Sequence, residues 1–208
     1  MYTDTVWGRS GPQSVINIAE LDKGKRIAKV DEIKRALEIS EHIPFRYLIQ
    51  HLGVSREEFD EKKLDAAFSS LEELGVFAQQ RKVEILLENT PNELSSADRL
   101  KYFLGVTHLN LNYCFDIGHA HIAAGIDSEF ESMKQRIRST HIHDNGGSDD
   151  SHFFPLQDKG TINWNEAMKL LGTHADQYPL LLELREVPGL ERPIEQAKHI
   201  ADQLEQLI

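Results

Sequence analysis

Apolar positions along this chain switch repeatedly between two spacings. Short runs with period two, or nearly continuous apolar runs, are followed by longer stretches with an apolar residue every three or four positions. The first spacing sends side chains to alternate faces of a strand, and the second gathers them on one face of a helix. Five strands are predicted: FRYLIQHLG (45–53), VEILLEN (83–89), LNLNYCFD (109–116), IRSTHIH (137–143) and PLLLELR (179–185). Helices fall between them. Asp31 offers an N-cap to a helix carrying Ile33, Ala36, Leu37 and Ile39. SREE (55–58) reads as a capping box opening a longer helix with the stripe Leu64, Ala67, Phe68, Leu71, Leu74 and Phe77. SSADRLKYFL (95–104), SEFESMKQR (128–136), NWNEAMKLL (163–171) and the segment from Pro193 to Leu207 supply the others, and residues 1–27, with Gly8, Gly11, Pro12 and Gly24, read as loop. Strands alternating with helices predict a parallel sheet covered by helices, in one α/β domain over residues 1–208.

Composition narrows the classes without choosing among them. Of the 208 residues, 40% are hydrophobic and 27% charged, which is ordinary for a folded domain. The net charge of −11 disfavours a large nucleic-acid footprint, since that needs a surplus of Lys and Arg to displace counterions. Cys114 is the only cysteine, so no intrachain disulfide can form, and a reducing, cytoplasmic setting is expected. No apolar run approaches the ~20 residues of a membrane span, and the N-terminus lacks the basic start and apolar stretch of a secretion signal.

The chemistry gathers where strands end. The first predicted strand reaches His51 and the second Glu88. The third ends at Asp116 with His119 just beyond, the fourth carries His141 and His143, and the fifth carries Glu183. Alone, each residue has a bland reading as a loop cap or a solvated side chain. Together they form a pattern, because all strand C-termini of a parallel sheet open on one face, where active sites lie. Alternation agrees: Leu109, Leu111, Tyr113 and Phe115 share one side, and Asn110, Asn112, Cys114 and Asp116 the other. Likewise Val83, Ile85 and Leu87 oppose Glu84, Leu86 and Glu88, while Ser139, His141 and His143 share a side. Three acids with one imidazole would suit Mn²⁺ first, then Mg²⁺ or Co²⁺, with Zn²⁺ favoured if more histidines join.

LLENTP (86–91), FDIGHAH (115–121), STHIHDN (139–145), DSHFFPLQDKGTINW (150–164) and LLELRE (181–186) occur in that order. Together they resemble the xylose isomerase-like TIM-barrel superfamily, which holds sugar and sugar-phosphate isomerases and epimerases and the family 2 apurinic endonucleases. The resemblance covers about residues 30–208. It implies that Glu88, Asp116, His141 and Glu183 hold one divalent metal, with Glu88 and Glu183 also moving protons beside a substrate carbonyl. It further implies that His51, His119, His152 and Arg185 contact a small sugar substrate; His143 reads as loop structure, with support of the ligands from behind as the alternative. The endonuclease branch is the rival, because His51, His119, Asp150 and His152 fit its extra zinc ligands; an inactive barrel fragment is the third reading. A complete (β/α)8 barrel takes about 250 residues. The resemblance therefore implies a barrel truncated at its N-terminus to about five strands, with residues 1–27 following a missing strand and self-association through exposed sheet edges.

Overall fold

The computed structural model describes residues 15–174, 178–185 and 189–208. The loop expected over residues 1–14 lies outside them. All five predicted strands are present: β1 (Tyr47–Gln50), β2 (Glu84–Glu88), β3 (Asn112–Asp116), β4 (Ile137–Ile142) and β5 (Leu180–Leu182). They form one parallel sheet in the order β1-β2-β3-β4-β5. Consecutive strands are neighbours and helices cover one side. The result is half of a TIM-type barrel, with β1 and β5 as its outer strands.

The helices are α1 (Lys23–Glu38), α2 (Glu61–Gln80), α3 (Ala97–Val106), α4 (Ile117–Ile122), α5 (Ile126–Met133), α6 (Trp164–Gly172) and α7 (Pro193–Glu205). Helix-side strand positions pack into one cluster with them: Val83, Ile85, Leu87, Tyr113 and Phe115 join Leu71, Leu74, Phe103 and Phe130. Leu86 and Cys114, of the opposite parity, are fully buried but lie outside that cluster. Period two therefore separates the two faces of the sheet as the sequence implies.

Two helix starts differ from expectation. α1 begins at Lys23, where the Asp22 carboxylate accepts the Lys25 N–H at 2.9 Å, so Asp31 is mid-helix and residues 23–27 are not loop. α2 is capped by Asp60, which accepts the Lys62 N–H at 2.8 Å. SREE is not a capping box: Arg56 has φ 60°, and the Glu57 carboxylate accepts the Val54 N–H and ties Asn17 and Lys63 instead. α4 was not expected at all. It grows directly from the end of β3, with Asp116 as its N-cap.

Candidate metal centre

Asp116 shows how the local sequence builds the site. As the last residue of β3 it points away from the helices; as the cap of α4 its Oδ1 accepts the His119 N–H at 2.7 Å. Its Oδ2 is left buried without a hydrogen-bond partner. Asn89 fixes the neighbouring strand end, exchanging two bonds with the Asp116 backbone: Asp116 N–H to Asn89 Oδ1 at 2.8 Å and Asn89 Nδ2 to Asp116 O at 3.0 Å. The side-chain amide thus extends the β2–β3 ladder and holds Glu88 beside Asp116. β4 pairs Asp116 with His141, and the Glu183 N–H donates to Ile142 O at 3.1 Å just past β5.

Those four side chains converge. One ligand atom from each of Glu88, Asp116, His141 and Glu183 lies within 4.8 Å of the others. His141 Nδ1 is 3.0 Å from Glu88 Oε1, 2.9 Å from Glu183 Oε2 and 3.8 Å from Asp116 Oδ2. One ring proton cannot satisfy two carboxylates at hydrogen-bond distance, and three carboxylates outnumber one imidazolium. The orphaned Asp116 Oδ2 faces the same space. A hard or borderline divalent cation fits this oxygen-rich donor set.

Electrostatics follow from this crowding. Burial alone would raise the Glu88 carboxyl, but bonds from His119, His141 and His51 hold it well below the usual range. Burial disfavours charge on His141, yet its bonds to Cys114, Glu183 and Glu88 push its pKa up strongly. The His141 bond also lowers Glu183. His119 is pushed up to about 11, the Asp150 and Glu88 carboxylates outweighing its burial.

The remaining candidate residues flank this group. His51 Nε2 bonds Glu88 Oε2 at 2.8 Å and its side chain is half exposed. His51, His119 and Asp150 line a pocket of about 150 Å³ with Thr90 and Asn92. Arg185 is exposed, its guanidinium on the Asp150 carbonyl at 3.4 Å. A second group also converges: His119, His143, Asp150 and His152 offer ligand atoms within 4.8 Å of one another. His143, read from sequence as loop structure, is fully buried in that group. Parity placed its side chain on the right face, but nothing in the sequence says that residues 150–152 fold back onto it. Sequence reasoning also passed over Asn89 and Asp144, whose signals were the polar residues directly following each strand.

A parallel half-barrel whose strand ends gather carboxylates and imidazoles places the chain in the TIM-barrel class, with two candidate cation sites. The chain belongs to the xylose isomerase-like TIM barrel family, whose profile matches residues 4–207. An uncharacterized protein of Methanocaldococcus jannaschii is 31% identical over 172 residues, covering 77% of this chain and 58% of that relative, so the chain matches little more than half of its length. The crystal structure of a D-tagatose 3-epimerase-like protein is 26% identical, with a TM-score of 0.76 over 94% of this chain and 74% of that one. The IolI protein, crystallised with a bound zinc atom, shares the fold at 18% identity, with a TM-score of 0.72 over 88% of this chain and 71% of its own. No helix among the described residues is long and apolar enough to cross a membrane.

Proposed function

We propose that this chain carries the catalytic half of a divalent-metal-dependent sugar isomerase or epimerase. The observation that supports it is the placement of Glu88 and Glu183, on β2 and just past β5, which bring carboxylate oxygens to 3.0 and 2.9 Å from His141 Nδ1. Glu88, Asp116, His141 and Glu183 would hold the cation, which supplies a Lewis acid for a carbonyl and its neighbouring hydroxyl. Two carboxylates reaching the site from separate strands suit removal of a proton from the carbon beside the carbonyl by one and delivery of a proton by the other. Glu183 is 46% exposed at its side chain and exchanges protons with solvent directly. Glu88 is enclosed, and the half-exposed His51 on its Oε2 gives it a relay. The epimerase-like relative at 26% identity supports a sugar as substrate. In deuterated water, the Mn²⁺-loaded chain should incorporate deuterium beside the carbonyl of a ketose, read by NMR across a panel of free and phosphorylated sugars. Glu183→Gln should abolish incorporation and weaken Mn²⁺ binding in calorimetry. Mn²⁺ binding that ignores this substitution would remove the proposal.

The second group supports a second reading, a zinc-dependent apurinic-site endonuclease, since His119 and His152 add nitrogen ligands and Asp150 an oxygen, with His51 adding a nitrogen beside Glu88. Elemental analysis showing more than one zinc per chain, with nicking of an abasic duplex, would favour it. The net charge of −11 weighs against DNA.

A further inference from the structure

The ladder between β2 and β3 stops short of the site. Its pairs are Leu86 with Asn112, Leu87 with Tyr113 and Glu88 with Cys114, so Asp116, the last residue of β3, has no β2 backbone beside it. Beyond Glu88 the chain turns away: the Thr90 N–H donates to Ser95 O at 3.0 Å and the Asn92 N–H to Thr90 O at 2.7 Å. Asp116 is fully buried, so its backbone N–H and carbonyl need protein partners. Asn89 supplies both from one side chain. Its Oδ1 accepts the Asp116 N–H at 2.8 Å, and its Nδ2 donates to the Asp116 carbonyl at 3.0 Å. In a parallel ladder those two bonds come from two different residues of the neighbouring strand. Here one amide replaces them.

The same residue closes a circuit of bonds around Asp116. The Asn89 carbonyl accepts the His119 Nδ1–H at 2.9 Å, and the His119 backbone N–H returns to Asp116 Oδ1 at 2.7 Å. This circuit occupies Oδ1 and leaves Oδ2, buried without a hydrogen-bond partner, in the space shared with His141. It also fixes which end of the Asn89 amide is oxygen, since the Asp116 N–H requires an acceptor and the Asp116 carbonyl a donor. Asn89 is buried, and both ends of its amide are engaged. It acts on the group of Glu88, Asp116, His141 and Glu183 through its neighbours.

We propose that Asn89 is a positioning residue for that group: it fixes the separation of the Glu88 and Asp116 carboxylates, and thereby the affinity and coordination geometry of the ion they take. The inference rests on Glu88, Asp116, His141 and Glu183 being a metal site. Glu88 and Asp116 stand on different strands, and the ladder between those strands ends at the level of Glu88. Asn89 is next in the chain to one acid and grips the backbone of the other. A shift of either strand end must therefore stretch its bonds. Groups that hold a metal ligand from behind change metal affinity by about 10–100-fold when removed.

The test follows Co²⁺ binding to the 208-residue chain by calorimetry and by the visible absorption of the bound ion, whose bands report coordination geometry. Asn89→Ala should weaken binding by about tenfold or more and alter the bands at saturation. Ser70→Ala is the control. It removes a buried bond on α2, from the Ser70 hydroxyl to Ile18 O at 2.9 Å, and should leave affinity and bands unchanged. An equal loss in both variants would reduce the effect to general destabilisation and overturn the proposal. Should Asn89→Ala fail to fold, Asn89→Asp keeps the shape and the acceptor for the Asp116 N–H but sets an oxygen against the Asp116 carbonyl. Added negative charge by itself tightens a divalent cation. Weaker Co²⁺ binding by that variant therefore supports the positioning role, and equal or tighter binding overturns it. Wild-type affinity and bands in Asn89→Ala, with binding weakened in Glu183→Gln, refute the role of Asn89 while the proposed function stands. If the wild-type chain takes no Co²⁺, both fall together.

Discussion

Asp144, directly after the His141–His143 pair, offers the sharpest test of how the site-bearing loop is held. Its Oδ1 accepts the backbone N–H groups of Asn145, Thr161 and Ile162 at 2.8, 3.1 and 3.2 Å. Its Oδ2 accepts the Trp164 indole N–H at 2.6 Å. Asp144 is 1% exposed and Trp164 4%, so water cannot replace these bonds. The loop bearing Asp150 and His152 leaves and returns through this carboxylate, and Asp144 and Phe153 also exchange backbone bonds at 2.9 and 2.7 Å. Asp144→Asn keeps an oxygen for the three backbone donors but turns an NH2 toward the indole N–H. Turning the amide over faces it to the backbone donors instead. The variant loses one bond to a charged acceptor and leaves a buried donor unpaired, a cost of about 3 kcal/mol. Urea unfolding of the metal-free chain should show a lower midpoint with an unchanged slope. Trp164→Phe removes the stranded donor, so the double variant should be less destabilised than the sum of the singles by at least ~1 kcal/mol. A loss below about 1 kcal/mol for Asp144→Asn, or strict additivity with Trp164→Phe, would refute this account.

Two further outcomes are expected. Gly118→Ala should destabilise by about 1–3 kcal/mol, because its Cβ would meet the fully buried His143 ring at 2.0 Å and that ring is pinned by its stack on the His152 ring; a thermal melt unmoved from wild type contradicts it. Cation binding should release protons at neutral pH. Burial lowers the pKa of His141, but its bonds, to Glu183 and Glu88 among others, raise it above the ordinary imidazole value, so the metal-free ring is protonated at pH 7 and must lose its proton to ligate. Affinity should therefore rise with pH through neutrality, and Mn²⁺ titrations in two buffers of different ionisation heat should report proton release; identical apparent heats would contradict it.

Much of the first group could be read from the sequence, because period two assigns a face and the chemistry sits at strand ends. Glu88, Asp116, His141 and Glu183 needed only a parallel sheet to meet. The helix boundaries were harder. The first turns of α1, with Lys23, Lys25, Arg26 and Lys29, carry no apolar stripe, so the pattern surfaced only near Val30, Ile33 and Leu37. α4 contains a glycine and two histidines, poor helix formers, and exists because Asp116 caps it. The second group was legible only through the resemblance, which named His119, Asp150 and His152 but not His143. Its membership depends on the path of residues 144–162, set by the Asp144 carboxylate and by a left-handed His152, neither of which leaves a periodic trace.

β4 shows where alternation alone would mislead. Strict period two puts Ile137 on the same face as Ser139, His141 and His143, yet Ile137 is fully buried in the helix-side core together with Ile142, of opposite parity. The pairing explains it: Tyr113 faces Ile137 but Cys114 faces Ser139, so Arg138 is an extra residue opposite no partner. This bulge resets the alternation midway along the strand. Before it, the strand anchors itself among the helices; after it, the same strand presents its imidazoles to the mouth of the sheet. Without the extra residue, either Ile137 would turn away from the helices or His141 and His143 would turn toward them. The bulge therefore lets one short strand serve both the core and the two candidate cation groups.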